Sequence, residues 1–549
     1  MQSTATQWAL FTVLFLFTLP VFAQLEEPPL TIKNKIRPDQ PIVNRVYYDD
    51  ELALYTGGEY TYEDVGWMVD YTKQVWAYMQ TTYGDFGDDP RIYVVVHDNP
   101  EYGGATISTR WDPGMDYRNA IDLGSSWDWR DSVIRVNYEV ITHELAHIVE
   151  GSNNNVKESP SFAFWNDGPW PEIFIYDVYV NAIQDSTLAQ DWYDFNWTKT
   201  NSHQGESEQH FFFRDWFYPL WAMEESAAVF DRYFKLLSTH FRQQPIDDPN
   251  VPDSIPTSAF RATKGEVLYF TNLATGTDNK ELFTRAFGWN EDREEELYNA
   301  RYYYGLQDAG ATLDFPDYTD ITSDTTGEGL SAEHPPSESP ATEQLPNLTD
   351  DSYLTKWLTG NRSSWVQFGA GREYVVSAYT ITSANDAANR DPIDWTLQGS
   401  NDGQTWTTID ERFKQDFAVR FYQRLFTFDN DTPYRYYRLN FGTVAAGALQ
   451  IAEIELLTAP ATDGTSTTSA APALDFAIFP NPAEGTLFLQ LPEHYEQPTV
   501  RVLSVLGQEL FVHRGGLAKG IDISSLPSGT YLLQLEDQGA VGVRKFFKR

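Results

Sequence analysis

The sequence predicts three folded units in tandem, a mixed α/β unit followed by two all-β units. Three observations carry this. Residues 24–315 mix β-branched runs with long stretches of helical apolar spacing, whereas from Asp350 the pattern turns to short strands with turn signals. Two stretches poor in large apolar residues, 316–345 and 459–473, separate the units. A chain of 549 residues also asks for about two to four domains. The expected boundaries are 1–23 for a leader, 24–315, a linker and sandwich entry at 316–345, 346–458, a linker at 459–473, and 474–549.

Residues 1–23 read as a secretory signal peptide. An apolar stretch from Ala9 leads to Val21-Phe-Ala23, a small-residue cleavage site, although the n-region lacks Lys and Arg. Pro20 and the short apolar run argue against a membrane anchor, and no later stretch could span a bilayer. There is no cysteine, so disulfides and thiolate metal sites are excluded. The formal charge of −40, from 79 acidic and 39 basic residues, argues against nucleic acid or anionic membrane as partner. It suits solubility and divalent cation binding.

Within the first unit, residues 24–45 are Pro-rich and read as extended. Tyr62–Thr82 reads as a helix with Val65, Met68, Val69, Tyr71, Val75 and Met79 inward. Residues 91–97 read as a buried strand, and Tyr102–Asp122 as short strands with Gly and Thr-rich turns. The next helix carries His143-Glu144-Leu145-Ala146-His147, the pattern H-E-x-x-H, and Gly151 is placed to end it. Residues four apart share a helix face, so two imidazoles can reach one tetrahedral Zn²⁺, with Glu144 able to take a proton from water. With nine His in the chain, two flanking a Glu at this spacing on an apolar helix argue against a plain core helix.

Residues 151–168 form a polar loop, and Pro171–Asn181 read as a second buried helix. Phe211–Phe241 and Lys264–Phe287 read as amphipathic helices that would close a helical lobe over the site. A catalytic zinc takes three protein ligands. Glu150 and Asn153 stand where the extended metzincin signature needs Gly and His, so that reading fails. Glu172, a lone acid opening an apolar helix, is the best third zinc ligand, with Asp177 and Glu158 as fallbacks. Its place after Pro171 also suits the helix dipole, which needs no metal. Tyr176, Tyr179, His210 and Tyr218 are candidate oxyanion donors, set against ordinary aromatic packing.

At the motif level this unit resembles the gluzincin-type zinc metallopeptidases. The resemblance implies an α+β zincin-like fold, zinc on His143, His147 and Glu172, and peptide hydrolysis with Glu144 as general base. Gluzincins often place an Asp four residues after the ligand Glu; here that position is Tyr176, and Asp177 follows it. In such folds an edge strand pairs with an extended substrate.

The second unit carries Leu354-Thr-Lys-Trp357, Trp365-Val-Gln-Phe368, Tyr379-Thr-Ile-Thr-Ser-Ala-Asn385, Arg390-Asp-Pro392, Trp395–Gly403 and Ala452-Glu-Ile-Glu-Leu456. These resemble the discoidin (coagulation-factor type C) family, an all-β jelly-roll sandwich that often binds glycans. That resemblance implies a structural Ca²⁺ on Asp350, Thr355 and Glu453, oxygen donors suited to a hard ion. The third unit carries Phe479-Pro-Asn-Pro482, Val505-Leu-Gly-Gln508, Ile521–Tyr531 and Arg544-Lys-Phe-Phe-Lys548. It resembles the all-β, Ig-like C-terminal sorting domain of the type IX secretion system. This implies a Bacteroidetes-like source, contact with that secretion machinery, and a secreted or outer-membrane surface-attached product.

The expectation is therefore a secreted zinc metalloendopeptidase, targeted to a glycan-bearing surface and acting on proteins or glycoproteins. The rival expectation is a non-catalytic surface adhesin or lectin that keeps a zinc-binding fold.

Overall fold

The computed structural model describes residues 25–33, 42–309 and 315–460, except 59, 253 and 325, and then 476–479, 483, 485–490, 499–504, 509–514, 520–526, 529–537 and 540–548. The expected signal peptide and most of the 459–473 linker lie outside these. The chain divides into two compact units, one up to residue 460 and one from 461.

The first unit opens with a six-stranded sheet: β1 Thr31–Lys33, β2 Ile42–Tyr48, β3 Leu52–Gly57, β4 Ile92–His97, β5 Ala105–Ser108 and β6 Ala120–Leu123, in the order β1-β2-β3-β4-β6-β5. Two strands thus lie in the stretch read only as Pro-rich and extended. β3, β4 and β6 run parallel, and β5 is antiparallel to β6 at the edge. Every residue of the three parallel strands is buried, as expected of strands covered on both faces. Leu52, Leu54, Val94, Val96, Ile121 and Leu123 face the main helical core, while Ala53, Tyr55, Tyr93 and Val95 face a smaller cluster with Ile32 and Met115.

The helices are α1 Tyr62–Val65, α2 Met68–Tyr83, α3 Arg135–Ser152, α4 Phe162–Trp165, α5 Pro169–Asp177, α6 Ser186–Asn196, α7 Tyr218–Trp221, α8 Ala228–His240, α9 Lys264–Thr275, α10 Lys280–Phe287 and α11 Glu291–Tyr304. A short ribbon, β7 Gln244–Pro245 with β8 Ser254–Ile255, joins α8 to α9. The expected helix at 62–82 is broken at Gly66. The stretch 264–287 is two helices, because Gly276 takes the left-handed conformation (φ 68°) after α9. The stretch 211–241 is likewise broken, with a π-helical turn at Phe213–Phe217 before α7 and α8. α6 and α11 were not expected; α6 buries Ala189 and Trp192 on one face, whereas α11 has little apolar periodicity and is decided by packing. α3 runs through Gly151 rather than ending there. Gly151 instead allows close approach, since a Cβ at this position would sit 2.9 Å from Thr109 Cγ2.

The sandwich follows: β9 Thr319–Asp320, β10 Gly329–Ala332, β11 Trp357–Thr359, β12 Ser364–Tyr374, β13 Ala378–Thr382, β14 Trp395–Ser400, β15 Thr407–Arg412, β16 Gln423–Thr427, β17 Tyr434–Phe441, β18 Leu449–Ile451 and β19 Glu453–Thr458. A five-stranded sheet, β10-β12-β17-β14-β15, faces a four-stranded sheet, β16-β13-β19-β9, and β11 pairs with β18. Trp357, Trp395, Tyr379 and Tyr437 fill the core between them. The sandwich therefore starts inside 316–345, where β9 and β10 already belong to its sheets.

Although 316–345 is poor in large apolar residues, apolar contacts join the first domain to the sandwich. Tyr298, Tyr302, Phe315 and Tyr318 pack on Ala378, Leu425 and Leu457. The Phe260 and Phe421 rings lie 4.2 Å apart. β16 is an edge strand, and Asn299 of α11 caps it by accepting from the Leu425 N–H at 2.9 Å. Tyr and Phe at 298, 302, 315 and 318 sit on or beside the expected boundary, so composition alone hides the contact.

The second unit is all β. It comprises β20 Ala477–Phe479, β21 Thr486–Gln490, β22 Thr499–Ser504, β23 Glu509–Arg514, β24 Ile521–Asp522, β25 Gly529–Asp537 and β26 Ala540–Lys548. Two antiparallel sheets, β20-β21-β24 and β23-β22-β25-β26, enclose Leu487, Val500, Val502, Ile521, Leu533, Leu535 and Phe546.

Candidate metal centre

α3 buries Ile141, Leu145, Ile148 and Val149 against the sheet and turns His143 and His147 toward a cleft. The two imidazoles meet edge to face, and their Nε2 atoms lie 3.1 Å apart. The carboxylate that the fold brings to this pair is not that of Glu172. It is that of Asp167, whose Oδ1 lies 3.2 Å from His147 Nε2. One donor atom from each of His143, His147 and Asp167 falls within 4.8 Å of the others. Bonds of about 2.0–2.1 Å to a tetrahedral ion put donors roughly 3.3 Å apart, so this spacing fits Zn²⁺ or a similar ion. Glu144, 7% exposed, lines the same cleft beside them.

Electrostatics in the site also favours a cation. Burial pushes His143 down to about 4, helped by the neighbouring His147 charge. Burial opposes charge on His147 too, but hydrogen bonds to Asp167 and Glu150 outweigh it and lift its pKa to about 10. The hydrogen bond from His147 in turn lowers Asp167. A positive charge is thus favoured where the three donors meet, and a divalent ion would supply it in place of the proton.

Asp167 is presented by the start of α5. The Trp170 indole N–H donates to the Ala146 carbonyl at 3.2 Å, pinning this end of the helix against α3. Asp167 precedes that turn and reaches His147. Sequence reasoning passed over it because Asn166-Asp167-Gly168 reads as an ordinary turn. Its signal was position: it is the last acid before the buried helix packed on α3.

Glu172 is buried as expected, and one of its two oxygens is met by protein while Oε2 is buried without a hydrogen-bond partner among the described residues. Its Oε1 accepts from Asn201 Nδ2 at 2.9 Å and pairs with Lys199 Nζ at 2.8 Å. Asp177 is held by Tyr78, Trp221 and Asn181, at 2.6, 2.7 and 2.8 Å, and serves packing. Glu158 reaches the cleft, where Ser258 Oγ donates to it at 2.6 Å. The four candidate oxyanion donors are elsewhere: Tyr176 and Tyr218 join an aromatic cluster with Trp221, and Tyr179 and His210 are buried outside the cleft wall.

Glu150 was used only to reject a motif, yet it supports the site. His147 Nδ1 and Glu150 Oε2 are 2.8 Å apart, and the Trp165 indole N–H donates to the other oxygen. A carboxylate on Nδ1 fixes the tautomer that leaves the Nε2 lone pair for a metal.

The cleft encloses about 600 Å³. One wall is the edge strand β5 with Trp111 and Asp112; the opposite wall is Lys157–Ser159 with Ser258. β5 is unpaired on this side among the described strands, which leaves backbone groups for an extended chain.

At the far end of the sandwich entry, the three residues expected to hold calcium do come together. Thr355 Oγ1 donates to the Asp350 carboxylate at 2.8 and 2.9 Å. Glu453 accepts from the Asp351 and Ser352 N–H groups, each at 3.3 Å. Burial and then the Asp350 charge raise Glu453 to about 8.

Comparison with known proteins identifies two parts of the chain. Residues 331–454 match the F5/8 type C domain, and residues 477–549 match the secretion system C-terminal sorting domain. The sandwich is thus a discoidin-type jelly roll, and the sorting domain marks the protein for type IX secretion and the cell surface. No helix among the described residues is long and apolar enough to cross a membrane. A stretch of 92 residues is 36% identical to a peptide-N(4)-(N-acetyl-beta-glucosaminyl)asparagine amidase of Arabidopsis thaliana, covering 15% of this chain and 13% of that protein's length. Among solved structures, a Clostridium perfringens module, CpGH89CBM32-5 in complex with GalNAc-beta-1,3-galactose, is 17% identical, covers 26% of this chain and all of its own, and has a TM-score of 0.22. The family 32 module of C. perfringens NanJ in complex with galactose is 18% identical, covers 26% and 98%, and has the same score.

Proposed function

We propose that this protein is a secreted, zinc-dependent endopeptidase acting on proteins or glycoproteins, with Asp167 in the place a gluzincin gives to a Glu, and with the discoidin domain holding it to a glycan-bearing surface. The observation that carries the reading is the convergence of His143, His147 and Asp167 beside Glu144, in a cleft walled by an edge strand. His143, His147 and Asp167 would hold the ion, and a bound Zn²⁺ would supply Lewis-acid chemistry there.

The chain's own residues do the rest. The free edge of β5 aligns an extended peptide through backbone hydrogen bonds. Glu144 takes the proton from water and delivers it to the departing amine. Glu150 holds His147 in the tautomer whose Nε2 faces the ion. On the sandwich, Asp350, Thr355 and Glu453 would hold Ca²⁺. The support is the close pair of carboxylates, one of them buried, whose repulsion a hard cation relieves.

The test uses purified protein against a protein and glycoprotein mixture. The expected result is cleavage that stops in chelator and returns with Zn²⁺. A second reading, a surface adhesin without catalysis, draws on the matched domains, which are a discoidin-type and a sorting domain. Stoichiometric Zn²⁺ without cleavage of any substrate, together with glycan binding, would select it.

A further inference from the structure

Glu158 stands on the cleft wall opposite β5, is exposed, and has no part in the chemistry derived above. Its backbone is held in a costly conformation. At φ 59° it lies in the left-handed region, which Gly and Asn favour and Glu rarely enters. Hydrogen bonds on both sides keep it there. The Glu158 N–H donates to the Gly151 carbonyl at 3.2 Å, near the end of α3. The Lys157 N–H donates to the Pro256 carbonyl at 2.9 Å, and Lys157 is bridged to Thr257. Strain of this kind persists where the surrounding fold imposes it, and it clusters at binding sites.

The side chain is fixed as well. The Ser258 hydroxyl, on the same wall, donates to Oε2 at 2.6 Å. Among the described residues Ser258 is its hydrogen-bond donor, which leaves Oε1 for a ligand.

The charges of the cleft select that ligand. Four other carboxylates line it, and each has a task. Glu150 and Asp167 meet His147, and Glu144 serves water. Asp112 accepts from the Gly114 N–H at 2.6 Å and the Ser108 hydroxyl at 3.2 Å. Lys157 makes no ion pair with Glu158 among the described residues. Asp248, outside the cleft lining, is held low by the Asn250 N–H first and by the Lys157 charge last, which puts that ammonium on the Asp248 side. Glu158 is thus a fixed negative charge without a counter-charge, across the cleft from the edge strand. Lys and Arg carry their charge on long apolar stems, so either can reach it from a peptide paired with β5. Arg can also meet Oε1 with a charge-assisted hydrogen bond while Ser258 keeps Oε2. The charge of −40 on the whole chain draws cationic peptides toward the protein.

We propose that Glu158 makes this cleft select peptides with a basic side chain, Arg or Lys, near the scissile bond. The inference rests on the peptidase reading and names the substrate class for it.

The experiment measures binding and cleavage separately. Acetylated, amidated hexapeptides carry Arg, Lys, Gln or Glu at each position in turn, so that end charges play no part. Binding to the full-length Glu144→Gln chain loaded with Zn²⁺ is titrated by calorimetry, and cleavage by the wild type is followed by mass spectrometry. At one position Arg or Lys is expected to bind about tenfold tighter than Gln, as for one charge-assisted hydrogen bond, and Glu to bind weakest. A second substitution, Glu158→Gln, should remove that preference, and Glu158→Lys should turn it toward Glu. Glu158→Gly controls for folding: Gly takes the left-handed backbone without strain, so this variant should melt near wild type and still lose the preference. Basic preference in binding with no cleavage would keep this inference and remove the peptidase reading. Binding or cleavage without a basic preference would overturn the inference and leave that reading standing. A preference that survives in both Glu158→Gln and Glu158→Gly, or no binding of any peptide, would overturn it too.

Discussion

The Nδ1–H of His147 donates to Oε2 of Glu150 at 2.8 Å, one turn further along the same helix. The bond reads as orientation of a metal ligand, since the other ring nitrogen faces His143 and Asp167. Glu150→Gln keeps an acceptor but removes the charge. Zn²⁺ affinity measured against a competing chelator is expected to fall about tenfold, the low end for a residue supporting a ligand. Unchanged affinity would reduce Glu150 to a partner of Trp165.

Asp167, for which the sequence suggested no role, stands where Glu172 was expected. Asp167→Asn is expected to weaken Zn²⁺ binding strongly. Glu172→Gln should leave metal affinity near wild type and lower the melting temperature, because Lys199 loses its counter-charge while Asn201 keeps an acceptor. A titration in which Glu172→Gln is the weaker binder would return the ligand to α5.

Glu144→Gln separates metal binding from chemistry. The amide is isosteric yet cannot take up a proton, so Zn²⁺ should bind stoichiometrically while hydrolysis is lost. Turnover equal to wild type in the zinc-loaded variant would remove Glu144 from the mechanism.

Calcium is expected to raise the melting temperature of the full chain relative to EGTA, since a ligand of the native state stabilises it by mass action. Glu453→Gln should erase the difference. Equal melting temperatures with and without Ca²⁺ in the wild type would dismiss the site, and would leave Asp350–Thr355 as a capped turn.

Much of this was legible in sequence because periodicity and motif act locally. The strand at Ile92–His97 and the helix carrying His143 and His147 follow from β-branched runs and helical spacing. The third donor was not legible for a physical reason. A buried lone acid on an apolar helix demands a counter-charge, and sequence cannot tell a metal from a lysine twenty-seven residues downstream. Asp167 gave the opposite impression, since an exposed Asp before Gly is common in turns. The docked sandwich was hidden likewise: Leu425 and Asn299 meet across 126 positions of chain.

Glu296 gives a pH signature that the metal does not touch. It lies on α11, in a cavity lined also by Ala418 and Val419 of the sandwich, and burial lifts its pKa to about 7 from the 4.5 of a free carboxyl; the Gly265 N–H, 2.9 Å away, only partly offsets this. The folded chain therefore holds this proton more tightly than the unfolded chain. Stability from this group is fully present below pH 4.5 and is lost as pH rises through the folded value of about 7. The loss is on the order of 3 kcal/mol at most. Glu296→Gln removes the titration, so the variant should match wild type near pH 4.5 and melt higher above pH 7. The check is a melting series across that range in both proteins. Parallel curves would mean the carboxyl is charged and satisfied in the folded state, with a donor to it beyond Gly265.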